Sequence, residues 1–152
     1  MLEIGMEAPN FTLPDYSGKM RKLSEFRGQK VIPYFFHKVT SAGCKNQTCT
    51  FGDLYPQFLE KGATVIGISK GSVETQKEFQ KEYNLSLILL SDEELEVIKL
   101  YDVLKEKKLF GRPAMGLERT TYLIDEEGII IKAFEKVKPS TNPSQMLDEL
   151  DE

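Results

Sequence analysis

Along this chain, continuous apolar runs of strand length alternate with stretches whose apolar residues recur every three or four positions. Residues 30–36 (KVIPYFF) and Ala63–Ser69 (ATVIGIS) read as strands buried on both faces of a sheet, although Pro33 removes one ladder donor from the first. From Ser41 the period changes. Phe51, Leu54, Tyr55, Phe58 and Leu59 repeat at helical spacing until Gly62 closes the segment. Ser72 opens a second helix over 72–83, residues 85–90 form another apolar run, and Ser91-Asp92 opens a helix over 91–101. Thr120–Ile124 and residues 129–134 flank Asp125-Glu126-Glu127-Gly128, the strongest hairpin signal present, and residues 143–150 read as a short terminal helix. Near the N-terminus, residues 10–22 read as two short strands around the turn Asp15-Tyr16-Ser17-Gly18, with a capped helical turn at Leu23–Phe26. Residues 105–118, with Gly111-Arg112-Pro113 and Gly116, follow neither period and read as a loop. Strands alternating with helices, then an antiparallel hairpin and a helix, predict an α/β architecture with a mixed central sheet, one domain over 1–152.

Composition narrows the function. Twenty Lys and Arg against 24 Asp and Glu give a net charge of −4 with no basic stripe, which argues against nucleic acid. No stretch approaches the roughly 18 apolar residues that cross a bilayer, and the N-terminal MLEIGMEAPNF has no apolar core of an export signal, so no membrane partner and a cytoplasmic location are expected. Two cysteines are too few for a disulfide framework, and a single histidine leaves few ligands for zinc, so neither a metal nor a cofactor is expected. Redox chemistry becomes the leading reading of Cys44 and Cys49. Cys44 falls where a helix begins after a buried strand, and unpaired N–H groups and the helix dipole there favour thiolate over thiol. The alternative for Cys44 is a small buried apolar residue.

Five landmarks occur in order along the chain: Gly5-Met6-Glu7-Ala8-Pro9-Asn10-Phe11; Leu23-Ser24-Glu25-Phe26-Arg27-Gly28; Gly43-Cys44 with Cys49; Phe51-Gly52-Asp53-Leu54-Tyr55-Pro56-Gln57-Phe58; and Gly116-Leu117-Glu118-Arg119-Thr120-Thr121-Tyr122-Leu123-Ile124-Asp125. In one register over residues 1–150 the chain resembles the peroxiredoxins of the bacterioferritin-comigratory or PrxQ subfamily. That resemblance implies a thioredoxin fold with a mixed central sheet and an N-terminal hairpin extension, which the element order matches. It also implies a thiol peroxidase acting on hydrogen peroxide and organic hydroperoxides, reduced by a thioredoxin- or glutaredoxin-like partner, and monomeric or weakly dimeric.

The family motif runs Pro, three residues, Thr or Ser, two residues, Cys, with an Arg from a later strand. It implies Cys44 as the peroxidatic cysteine, Ser41 as the hydroxyl and Arg119 as the cation, with Gly43 beside them. The proline position holds His37, which reads either as a strand-end residue or as a proton donor to the leaving hydroxide. Gln47, one turn after Cys44, orients Arg119 or is a solvated helix residue. Cys49 matches the subfamily's resolving cysteine, which condenses with a Cys44 sulfenic acid to an intramolecular disulfide, the atypical 2-Cys mechanism. Five residues apart on an ideal helix, the two Cα atoms are about 8.6 Å apart, beyond the roughly 7 Å that a disulfide tolerates, so the helix start must unwind. Gly52 and Pro56 weaken the helix just beyond, or serve packing alone. Two other functions compete. A dithiol oxidoreductase is disfavoured by the four residues between the cysteines, where two are usual, and a peroxide sensor needs the same thiol.

Overall fold

The computed structural model describes residues 1–37, 42–109 and 111–151. A five-stranded sheet organises it, in the spatial order β5 (Ile88–Ser91), β4 (Ala63–Ser69), β3 (Lys30–Phe35), β8 (Thr120–Ile124), β9 (Ile130–Phe134). The first three run parallel, and β8 and β9 complete it antiparallel, so the sheet is mixed as expected. In the β3–β8 ladder the paired residues are Val31, Tyr34 and Phe35, and the pairing skips Ile32 and Pro33, where the proline has no N–H.

Strand periodicity divides β3 between two cores. Val31 and Phe35 face a cluster with Val97, Ile98 and Tyr101. Ile32, Tyr34 and Phe36 face another with Phe51, Tyr55 and Phe58 of α1 (Ala42–Glu60), Phe79 of α2 (Val73–Tyr83) and Met146 of α4 (Asn142–Glu149). Helices therefore cover one face of the sheet. On the other lie α3 (Glu96–Leu100) and N-terminal residues such as Phe11 and Phe26. Each fully buried large apolar side chain of this kind contributes on the order of 1.5–3 kcal/mol. The N-terminal hairpin pairs β1 (Thr12–Pro14) with β2 (Met20–Lys22), and Asp15 Oδ1 accepts the N–H groups of Ser17 and Lys19 to set its turn. Among the described residues, no helix is long and apolar enough to cross a membrane.

Two expectations need correction. The helix predicted from Ser91-Asp92 begins only at Glu96, because the Asp92 carboxylate reaches forward to accept the N–H groups of Glu96 (3.0 Å) and Ile98 (2.7 Å) and caps the later turn. Within the stretch read as a loop, β6 (Leu104–Leu109) and β7 (Arg112–Leu117) form an antiparallel hairpin separate from the main sheet. Its charged LKEKKL strand carries no apolar alternation, since a two-stranded ribbon has little core to face.

Candidate functional site

The site gathers at the C-terminal end of β3. After Phe36, whose N–H donates to the Ile68 carbonyl (3.1 Å), comes His37. Ser41 lies outside the described residues. The backbone resumes in α1 at Ala42, so Cys44 falls within the first helical turn, as its position in the sequence suggested. There the exposed N–H groups and the dipole favour an anion.

Arg119 reaches this turn from the link between β7 and β8. Neighbouring strand pairs fix its backbone: Thr120 sits opposite Phe35 and Thr121 opposite Tyr34, while the Val137 N–H donates to the Arg119 carbonyl (3.1 Å). Its guanidinium lies directly over Gly43. A Cβ at residue 43 would stand 2.8 Å from Nη2, 3.3 Å from Cζ and 3.4 Å from Nη1. Only a residue without a side chain lets the cation this close to the backbone next to Cys44, and the glycine supplies that room.

Five further side chains, Gln47, Asn142, Thr121, Thr48 and Tyr34, lock α1 in place, and of these sequence reasoning singled out only Gln47. Gln47 is fully buried, which rules out the solvated reading. Its Nε2 donates to Asn142 Oδ1 (3.1 Å), and the same oxygen accepts from Thr121 Oγ1 (2.8 Å). The link from Gln47 towards Arg119 therefore runs through Asn142 to Thr121, two residues from the arginine. At the next residue, Thr48 accepts from the Tyr34 hydroxyl (2.9 Å), and the Tyr34 ring stacks on Phe51 with centroids 4.5 Å apart. Thr121 and Tyr34 look like ordinary strand formers, and Asn142 before Pro143 looks like a helix start. No local signal marks their partners.

Cys49, on α1, is a free thiol, half-buried against the core. Burial pushes its pKa up, nearby Asp53 adds to that, and Lys45, four residues back, pulls the other way. The Lys45 ammonium in turn sits 4.7 Å from the centre of the Tyr83 ring. One unbroken helix carries Cys44 and Cys49, which keeps their Cα atoms about 8.6 Å apart. Farther along, Gly52 packs so closely on α1's neighbours that a Cβ there would meet Leu85 Cδ2 at 2.8 Å, so its packing role is real. His37 is half-buried and lines a pocket of about 310 Å³ with Ile98, Leu104, Met115 and Leu117.

Comparison with known proteins shows the family to which this fold belongs. The AhpC/TSA family model matches residues 4–133. The chain is 42% identical over 149 residues to a putative peroxiredoxin Bcp of Coxiella burnetii, covering 98% of this chain and 99% of that one. The chain belongs to the AhpC/TSA family. Peroxiredoxin Bcp of Bacillus subtilis is 39% identical over 98% of this chain and 95% of its own length, and the peroxiredoxin is of this Bcp or PrxQ type. Among solved structures, Xylella fastidiosa PrxQ superposes with a TM-score of 0.93 at 29% identity, covering 99% of this chain and 96% of that one. The bacterioferritin comigratory protein of Xanthomonas campestris, described for its alkyl peroxide reduction, gives 0.89 at 29% identity over 93% and 90%. The thioredoxin-type fold and a peroxidase oxidoreductase activity follow for this peroxiredoxin.

Proposed function

We propose that the peroxiredoxin reduces hydroperoxides through Cys44 and closes an intramolecular disulfide with Cys49. The observation that carries this is the Arg119 guanidinium packed on Gly43, a fixed cation at the helix start that holds Cys44. The Cys44 thiolate attacks one peroxide oxygen as the O–O bond breaks. Sulfur becomes a sulfenic acid, and the second oxygen leaves as hydroxide or alkoxide and takes a proton. Charge builds on that leaving oxygen, and Arg119, with backbone N–H groups and the Ser41 hydroxyl, stabilises it. Arginine suits this role because its planar fork addresses sulfur and peroxide together and never loses its charge.

Cys49 sulfur then attacks the sulfenic sulfur, forming the disulfide and releasing water. An external dithiol of the thioredoxin or glutaredoxin class returns two electrons and restores both thiols. The pocket beside His37 accommodates the organic part of an alkyl hydroperoxide, in keeping with the activity described for the Xanthomonas protein.

Cys44→Ser should abolish peroxide consumption, because a hydroxyl cannot ionise at neutral pH. Cys49→Ser should consume one equivalent and leave Cys44 open to sulfinic acid, visible in the intact mass. Turnover by the first variant, or an unmodified Cys44 in the second, refutes the assignment. A dithiol oxidoreductase would instead reduce insulin disulfides faster than it consumes peroxide.

A further inference from the structure

Gln47 lies between the two cysteines, inside the segment that must leave its helix for them to bond. Its buried Nε2 donates to Asn142 at the start of α4, and Asn142 also holds Thr121 of β8. All three residues are fully buried. Gln47 Oε1 has no hydrogen-bond partner among the described residues, so burying this side chain is costly on one atom and rewarded on the other. Unwinding reverses both: Oε1 gains water, and Nε2 exchanges Asn142 for water.

We infer that Asn142 is a positioning residue, a latch that holds the Cys44–Cys49 segment helical and thereby sets how readily the disulfide forms. The inference rests on the Cys44–Cys49 disulfide proposed above. Its logic is one of linkage. Only the helical reduced form makes the Gln47–Asn142 bond, whereas both redox forms keep the Thr121–Asn142 bond. Removing the Asn142 side chain orphans a buried Gln47 amide in the reduced helix alone, so the equilibrium moves towards the disulfide.

The test equilibrates the whole protein with reduced and oxidised dithiothreitol and reads the disulfide fraction by thiol labelling and mass spectrometry. Asn142→Ala should favour the disulfide roughly tenfold, which for a two-electron couple is about 30 mV more negative. In a Gln47→Ala background the same substitution should produce almost no shift, since the coupled partner is gone. Thr121→Val, which strikes the other side of the hub, should leave the equilibrium near that of the parent. An unchanged equilibrium in Asn142→Ala, a shift that survives in the Gln47→Ala background, or an equal shift in Thr121→Val overturns the latch. If Asn142→Ala does not fold, the parent protein still decides by NMR. The Gln47 side-chain amide should exchange slowly in the reduced form and at the solvent rate in the oxidised form, and slow exchange in both overturns the inference. Peptide mapping of the oxidised parent separates the two levels: absence of a Cys44–Cys49 disulfide condemns the mechanism, whereas its presence with no Asn142 effect condemns the latch alone.

Discussion

Replacing Gly43 by alanine separates stability from catalysis in this peroxiredoxin. The new Cβ would stand 2.8 Å from Arg119 Nη2, and ordinary contact begins at 3.4 Å, so the guanidinium has to retreat by about 0.6 Å. The obstructing atoms are the far end of a flexible side chain, so the retreat costs the fold little. Alanine is the better helix former by up to roughly 1 kcal/mol, and part of that gain applies in the first turn of α1. Stability should therefore hold or rise, by at most about 2–4 °C in melting temperature for a chain of this length. Catalysis should fall. Displacing a charge-stabilising donor by about 1 Å costs on the order of a hundredfold, so a retreat of this size should slow peroxide attack roughly 10- to 100-fold.

The assay is rapid mixing of the reduced variant with peroxide. The chain has no tryptophan, so quenched samples are read by intact mass, with the six tyrosines as a fluorescence alternative. Because Gly43→Ala and Arg119→Ala act on the same contact, the double variant should be little slower than Arg119→Ala alone. A Gly43→Ala protein that matches the parent rate, or a double variant whose losses multiply, refutes the reasoning that the Arg119–Gly43 contact positions the catalytic cation.

Arg119→Lys keeps a charge but loses the fork, and stopped-flow should show peroxide attack slowed at least about tenfold with its pH profile moved upward. The Cys49 thiol has its pKa raised by burial, so the folded helix keeps it protonated beyond the ordinary thiol range while an unwound segment ionises it earlier. Helix stability from this group is thus present at neutral pH and lost as pH rises from the ordinary thiol pKa through the raised one; disulfide formation after a peroxide pulse should accelerate across that window, and a flat profile would contradict it. Tyr34→Phe orphans the buried Thr48 hydroxyl at a cost of about 1–3 kcal/mol, so thermal melting should fall and amide exchange in α1 should rise. His37→Pro restores the family residue; faster peroxide attack with less overoxidation supports His37 as a breach in shielding, and slower attack supports it as a proton donor.

The central sheet was legible because β3 and β4 are buried on both faces, and the α1 repeat from Phe51 to Phe58 faces one core. Local chemistry also marked the turns, as where Ser72 Oγ accepts the Thr75 N–H (3.1 Å) and Asp125 Oδ1 accepts from Glu127 and Ile129. What stayed hidden depends on long-range contact. The β6 strand LKEKKL shows no apolar alternation, and Asp92 caps N–H groups four and six residues ahead, whereas a capping serine or aspartate usually reaches two or three. At the site, position alone exposed Cys44. Arg119 was legible only through the family motif, since beside Glu118 it resembles any surface cation, and the Gln47–Asn142 pairing spans 95 residues. A single chain carries no local trace of such a bond.

The proposed mechanism places two opposed requirements on helix α1, and the arrangement of its side chains suits both. Peroxide attack needs the first turn fixed, because the Cys44 backbone must stay beside Arg119. Disulfide formation needs the same turn to open. Anchors spread along the whole helix would forbid opening. Here the deep aromatic anchors, Phe51, Tyr55 and Phe58, lie beyond Cys49, and the Tyr34 bond falls at Thr48. Between the cysteines the one fully buried side chain before Thr48 is Gln47, a polar group held by a single described bond. Exchanging that bond for water costs far less than exposing a phenylalanine. The opening can thus be confined to the cysteine segment and the turn that follows it, through Phe51 to about Asp53, while Tyr55 and Phe58 hold the rest of α1 packed. If it is, oxidation should speed amide exchange from Gly43 to about Asp53 and leave Ala63–Ser69 of β4 protected. Equal protection of residues 43–53 in both forms, with the disulfide confirmed by mass, would show that the bond forms without unwinding.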